Sequence, residues 1–411
     1  MSIIVVMIKR NIEKFGTNVL SEYNKMLFVS GPRQSGKTTF AKALLKQFSQ
    51  GSYTNWDIIN DQKKIVNTPY FFENESRDIK KKFLVVFDEI HKYKNWKNYL
   101  KGCFDGYNKE YSFIVTGSGR LDLFKKGGDS LFGRYFGVNL FPLSLGELEN
   151  AAVEPDIFFN YLREGFDKRQ SSENYKQLLN FSGFPEPFLK NDKIFYNLWS
   201  NERKKTLVRE DIRSAYPVRD ISNVEILSNL LPYKISSPLS INSLREDLNA
   251  AFESIKNWLL MLEQFYYFFS IRPYSKSISR AIKKEPKIYL YDWVEIEDEA
   301  KRFENMVAFH LYKTVALWKS FGYGNFGLSY IRDKDGREVD FLVTKDEKPV
   351  FMAETKFNDE NISKNLIAFQ HNTQTPFAIQ IVNKKDILKK TSSNNLIQYV
   401  ISADNFLGYL P

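Results

Sequence analysis

Apolar runs alternating with segments of helical spacing organise the first third of this chain. Met26-Leu27-Phe28-Val29-Ser30 is apolar enough to be a strand buried on both faces, and residues 83–87, 111–116 and 135–141 have the same character. Segments such as Thr39 to Leu45 carry apolar residues at helical spacing. Strand and helix in alternation predict a parallel sheet covered by helices up to about Leu148. From Glu149 to about Asp220 the pattern turns helical, broken by the turn-rich Ser182-Gly183-Phe184-Pro185-Glu186-Pro187. Two amphipathic helices follow, Ser240 to Leu248 and Phe252 to Gln264, close enough to form a helix-turn-helix pair. Residues 265–271 and 274–291 then have the pattern of a β-hairpin wing. The last part predicts a helix at 302–319, strands near 327–332, 338–343 and 350–356, a helix at 361–371 and a strand at 377–382. Domain boundaries are expected near 150, 220 and 300.

Length and composition agree with this division. A chain of 411 residues has room for two or three domains, and 43% apolar residues is ordinary for globular protein. The single cysteine, Cys103, excludes an internal disulfide framework; it fits a reducing cytoplasm and a small buried side chain. The apolar stretch Ile3 to Ile8 is too short for a secretory signal and lacks a basic region before it. Trp258 to Ile271 is interrupted by Glu263 and Gln264 and falls short of a bilayer span. A cytoplasmic protein without membrane spans is expected. The formal charge of +10 permits a polyanionic partner, although solvated lysines account for it equally well.

The sharpest chemical signal is Gly31-Pro32-Arg33-Gln34-Ser35-Gly36-Lys37-Thr38, followed by Thr39. It matches the P-loop pattern G-x-x-x-x-G-K-S/T, between a strand and a helix as such a loop requires. Backbone N–H groups at that junction, backed by the helix dipole, form an anion site. Lys37 is placed for the β- and γ-phosphates of ATP, and the Thr38 hydroxyl for Mg²⁺. Phe83 to Phe87 leads into Asp88 and Glu89: Asp88 at the strand tip suits Mg²⁺, and Glu89 suits a general base for the attacking water. An acidic start to the following helix is the plainer alternative for the same pair. Arg134, just before the strand that begins at Tyr135, suits an arginine finger reaching a neighbour's γ-phosphate, which requires a homo-oligomer; a surface arginine is the alternative.

The ordered set GPRQSGKTT, VVFDEIHKYKNW, VTGSGRLDL, GDSLFGRYFGVNLFPLSLGEL and FSGFPEPF resembles one prokaryotic AAA+ family, over essentially the whole chain. Its members pair an N-terminal ATPase with a C-terminal domain of largely unassigned function. The resemblance implies an ATPase core with Lys37, Thr38, Asp88 and Glu89 in the roles above. It also places a sensor 1 group after the 111–116 strand, at Ser118 or else Thr116; a plain Gly-Ser turn competes. Ser182-Gly183 stands where a Gly-Gly pair is commoner, and sensor 2 stays open between Arg203 and Arg209.

The basic stretch 271–290 holds Arg272, Lys276, Arg280, Lys283, Lys284 and Lys287 against one acid, Glu285, and suits phosphate contacts with branched or double-stranded DNA. Winged helices also dock proteins. Asp340 interrupts an apolar strand, and fourteen residues on Glu354 and Lys356 share one strand face. Two carboxylates and a lysine on adjacent strands suit a divalent metal with a charged group beside its water. The set and the α-β-β-β-α-β order resemble the PD-(D/E)XK nuclease fold. That resemblance implies Glu304 as a further metal-linked acid and Gln370, or alternatively His371, lining the site. The expected fold class is α/β: a P-loop AAA+ parallel sheet at 1–150, a helical lid at 151–222, a winged helix at 223–300 and a PD-(D/E)XK nuclease-like domain at 301–411. Three functions compete: an ATPase acting on DNA with a metal-dependent nuclease-like domain, a nucleotide-dependent switch that binds DNA or protein without cutting, and an ATP-driven signalling protein with no nucleic acid.

Overall fold

The computed structural model describes residues 8–117, 131–168, 172–216, 220–275 and 284–411. They fall into two compact units, Met1–Phe141 and Pro142–Pro411.

In the first unit, β1 (Met26–Ser30), β2 (Gly51–Asn55), β3 (Phe83–Asp88), β4 (Tyr111–Gly117) and β5 (Tyr135–Asn139) form one sheet in the order β2-β3-β4-β1-β5, every pair parallel. Every residue of β1, β3 and β4 is buried, which is why these strands are continuous apolar runs in the sequence. The edge strand β2, Gly-Ser-Tyr-Thr-Asn, has no such run and its pattern predicts nothing. Phe28, Phe72, Phe87, Trp96 and Phe113 share one core with Cys103, whose thiol burial pushes up to about 12. The helix Lys37–Gln47 starts directly at the P-loop.

The second unit is built on an eight-stranded mixed sheet. Its strands are β6 (Phe268–Pro273), β7 (Lys287–Leu290), β8 (Phe326–Arg332), β9 (Glu338–Lys345), β10 (Lys348–Lys356), β11 (Phe377–Val382), β12 (Leu388–Ser393) and β13 (Leu396–Ser402). Their order is β12-β13-β11-β10-β9-β8-β6-β7. The predicted α-β-β-β-α-β succession is present as the helix Glu299–Ser320, strands β8 to β10, the helix Lys364–Thr373 and β11.

One expectation is corrected. The hairpin read as a wing is β6 and β7, and β6 continues the large sheet through Arg272↔Ser329 and Pro273↔Tyr330 beside β8. The reason is aromatic: Tyr266, Tyr267, Phe269, Tyr289 and Tyr291 are all 1% exposed or less, and a free wing has no interior for them. The two compact units divide between Phe141 and Pro142. Residues 142–147 are held within the second unit by the helix Glu299–Ser320. Leu145 N donates to His310 Nε2 at 3.0 Å, while Lys313 Nζ donates to Pro142 O at 2.9 Å and Glu147 Oε2 at 2.7 Å. The helices Ile241–Leu248 and Phe252–Gln264 form as expected.

Candidate functional site

The P-loop is shaped by its glycines. Gly31 has φ +151°, and a Cβ there would lie 2.3 Å from Leu140 O. Gly36 has φ +95° and caps the helix Lys37–Gln47, a left-handed turn that glycine adopts without strain. Lys37 is buried, its Nζ donating to Pro32 O at 2.7 Å and Gly31 O at 3.1 Å. Outside the loop, the buried Arg10 guanidinium donates to Ser35 O at 2.9 Å and Phe141 O at 2.5 Å. Arg10 fixes the loop from behind; the sequence carries no motif for it.

Asp88, 1% exposed at the tip of β3, gathers three hydroxyls. Its Oδ2 accepts from Thr38 Oγ1 at 2.7 Å and Tyr53 OH at 2.6 Å, and its Oδ1 accepts from Thr116 Oγ1. Burial, then the Asp88 carboxylate, raises the Tyr53 phenol well above its ordinary value, so it remains a donor. Tyr53 sits on β2, the strand the pattern does not predict. The Thr38 hydroxyl and Asp88 carboxylate are thus one joined pair of hard oxygen donors beside the P-loop, which fits Mg²⁺. Glu89 follows in a left-handed conformation (φ +55°); for a non-glycine residue this costs about 1–2 kcal/mol, and such strain clusters at functional sites. The Glu89 carboxylate lies 3.6 Å from Lys92 Nζ and 3.7 Å from His91 Nδ1. Burial lowers the His91 pKa and keeps the ring neutral.

Arg134 makes a two-toothed pair with Asp105, Nε–Oδ1 2.6 Å and Nη2–Oδ2 2.9 Å. Ser118 lies outside the described residues, as do Lys276, Arg280 and Lys283. Of the sensor 2 candidates, Arg203 stacks 4.1 Å over the Phe184 ring with Glu295 at 3.7 Å, and Arg209 pairs with Glu225 at 2.9 Å.

The second unit distributes its expected site residues differently. Asp340 Oδ2 accepts from Thr355 N at 2.9 Å and Thr355 Oγ1 at 2.8 Å. Glu354 Oε1 pairs with Lys356 Nζ at 2.7 Å, and its Oε2 is buried without a hydrogen-bond partner. Burial holds the Glu354 carboxyl above its ordinary pKa. Gln370 is elsewhere: it bonds Ile397 O at 3.1 Å and accepts from Gln398 Nε2 at 2.9 Å, at the start of β11. Gln380, three residues into β11 and the register partner of Glu354, stands at the acids' end. It accepts from Ser363 N at 2.8 Å and donates to Asp359 O and Asn361 O, both at 2.9 Å, pinning the loop after β10. His371 is exposed.

Lys287, expected at a DNA phosphate, is 1% exposed. Its ammonium faces Glu338 in direct contact, with Asp340 Oδ1 at 3.9 Å and Glu304 Oε1 at 4.0 Å. The acids meant for a metal are therefore already paired with lysines, and one orphan oxygen on Glu354 is not a coordination set. Among the described residues, no three His, Cys, Asp or Glu side chains are grouped to hold a metal ion.

Sequence comparison matches three successive segments of the chain. Residues 23–149 match the family model described as an AAA domain. Residues 172–293 and 300–403 match two domains of unknown function, DUF8612 and DUF4143. With its five-stranded parallel sheet and P-loop, the first unit has the fold typical of P-loop AAA+ domains. An uncharacterized protein of Methanocaldococcus jannaschii is 24% identical over 374 residues, 84% of this chain and 78% of the relative. Among solved structures, AMPPCP-bound DnaA from Aquifex aeolicus aligns over 61% of this chain and 86% of its own, at 16% identity and TM-score 0.31. PCH-2 of C. elegans aligns over 60% and 64%, at 15% identity and TM-score 0.24. No described helix is long and apolar enough to cross a membrane.

Proposed function

We propose that this protein hydrolyses ATP in its first unit and engages DNA through its second. The observation that carries the first half is the Thr38–Asp88 pair, 2.7 Å apart beside the buried Lys37. The P-loop N–H groups hold the phosphates, Lys37 turns from the Pro32 and Gly31 carbonyls to a phosphate oxygen, and Arg10 keeps the loop in place. Thr38 and Asp88 would hold Mg²⁺, which when bound supplies positive charge to the phosphate oxygens. Glu89 orients the attacking water and takes its proton at a carboxylate oxygen. Lys37→Ala should lose ATP binding; Glu89→Gln should bind ATP and hydrolyse it slowly. Unchanged turnover in both would reject the assignment.

Arg134 supports a shared site in a homo-oligomer: it lies at the surface beside Phe132, which is 84% exposed, and Asp105 holds its guanidinium in the single chain. Mixing Arg134→Ala with Glu89→Gln protein should restore turnover at interfaces that pair an intact Arg134 with an intact Glu89. A monomeric mass and no rescue would remove this part of the proposal.

DNA engagement is supported by the charge of +10 and by the exposed Arg272 and Lys284. A gel shift whose affinity falls steeply with salt tests it, since phosphate contacts release counterions; binding indifferent to salt would count against it. The α-β-β-β-α-β succession with Asp340, Glu354 and Lys356 supports a nuclease-like scaffold. Of its two versions, cutting and binding only, the lysine pairing of Glu354 and Glu304 favours binding only.

A further inference from the structure

Three described basic residues lie between 271 and 290. Arg272 and Lys284 are exposed, and Lys287 is buried on β7, in register with Ile271. Taking an ammonium out of water costs several kcal/mol unless charges and hydrogen bonds surround it. The second unit provides that surround from two elements: Glu304 from the helix Glu299–Ser320, and Glu338 and Asp340 from β9. The Tyr330 ring lies 5.4 Å from the same nitrogen. Burial pulls the Lys287 pKa down, but Glu304, Asp340 and Glu338 together raise it above its ordinary value, so the side chain stays charged.

The other oxygens of Glu338 and Asp340 are already engaged, and the Glu304 oxygen that faces Lys287 has a second partner. Glu338 Oε2 faces Arg332 Nη1 at 3.4 Å, and Asp340 Oδ2 takes both Thr355 donors. Glu304 Oε1 accepts from Tyr289 OH at 2.8 Å. Burial, then the neighbouring Asp340 charge, raises the Glu304 carboxyl above its ordinary range, and the Lys287 ammonium opposes that rise.

We infer that Lys287 is the resident cation of this cluster: its ammonium supplies the positive charge among Glu304, Glu338 and Asp340, which with it in place are not grouped to coordinate a divalent ion, and it excludes one. A divalent ion needs several oxygens at roughly 2.0–2.6 Å, and entering here it would lie against a buried positive charge that the backbone of β7 holds in place. The acids that resemble a nuclease site thus tie β7, β9 and the long helix together, and the second unit meets nucleic acid without metal-dependent cleavage. The inference rests on the second unit alone and does not depend on ATP hydrolysis in the first.

The test is Mn²⁺ binding to full-length, nucleotide-free protein carrying Asp88→Asn, which removes the metal donor of the first unit. Free Mn²⁺ is counted by electron paramagnetic resonance. Protein with Lys287 intact should bind no Mn²⁺ through the cluster. Lys287→Gln should gain one equivalent and lose it when Asp340→Asn is added, and Lys287→Arg should remain without metal. One equivalent bound with Lys287 intact and lost with Asp340→Asn overturns the inference. Binding by neither protein overturns it as well, because the ammonium would then be excluding nothing. Should Lys287→Gln fail to fold, the protein with Lys287 intact decides by comparison with its Asp340→Asn partner: equal counts uphold the inference and a lost equivalent rejects it. ATP turnover of the parent chain, measured separately, reports on the first unit and moves with neither outcome.

Discussion

The two units each put an aspartate on an inner strand of a sheet and partner it in opposite ways. Around Asp88 the partners are hydroxyls, from Thr38, Tyr53 and Thr116. Around Asp340 they are the Thr355 donors and the Lys287 ammonium, shared with Glu304 and Glu338. A hydroxyl is a neutral donor that can rotate and offer a lone pair to an incoming cation. An ammonium has no lone pair to offer and brings its own charge, so a site built around it is already neutralised. Two carboxylate clusters that look alike as sequence therefore differ in whether a metal has any reason to enter.

The largest expected effect separates the two sites directly. Asp88→Asn should lower ATP turnover by about 10²–10⁴-fold, on the scale of losing a group that acts in the transition state. Asp340→Asn should leave turnover near that of the parent chain. Comparable losses in both would mean the clusters are coupled and the contrast is false.

A second variant probes how the second unit uses buried lysine. Lys313 Nζ meets Glu147 Oε2 at 2.7 Å, with side chains 5% and 1% exposed. Lys313→Met strands the Glu147 charge and should cost about 3–5 kcal/mol in a denaturant melt of the second unit. A cost below ~1 kcal/mol would show that the pair is hydrated and the comparison with Lys287 weak.

The smallest effect is a pH dependence. His310 Nδ1–H donates to Met306 O at 2.7 Å and Nε2 accepts from Leu145 N, so the ring is neutral. Burial lowers its pKa to about 3, below the unfolded value near 6.5. A depressed pKa gives stability that is present above the unfolded value and is lost as pH falls below it, since the unfolded state binds the proton first. The second unit should weaken by up to about 1.4 kcal/mol per pH unit below pH ~6.5, and His310→Gln should flatten that slope. An unchanged slope in the variant would assign the loss to other groups.

Local chemistry was legible in the sequence, and long-range pairing was not. The P-loop, the Asp88-Glu89 strand end and the α-β-β-β-α-β succession follow from contiguous residues, because a turn, a helix start and a doubly buried strand each leave their pattern within a few positions. Sheet membership leaves none. That β6 joins β8, and with β7 extends an eight-stranded sheet, depends on pairing across more than fifty residues, Arg272 with Ser329. That single pairing turns a basic wing into a sheet edge and carries Lys287 from an expected phosphate contact to the centre of three carboxylates. The same holds for the helpers. Arg10 reaches Phe141 O, Tyr53 reaches Asp88, and Gln380 reaches Ser363 N, each by a contact far apart in the chain. Sequence by itself determined which groups could hold a nucleotide, since that loop is one continuous segment. Only the tertiary structure decided which acids face a lysine, because a buried charge is fixed by whatever partner the fold brings within about 4 Å.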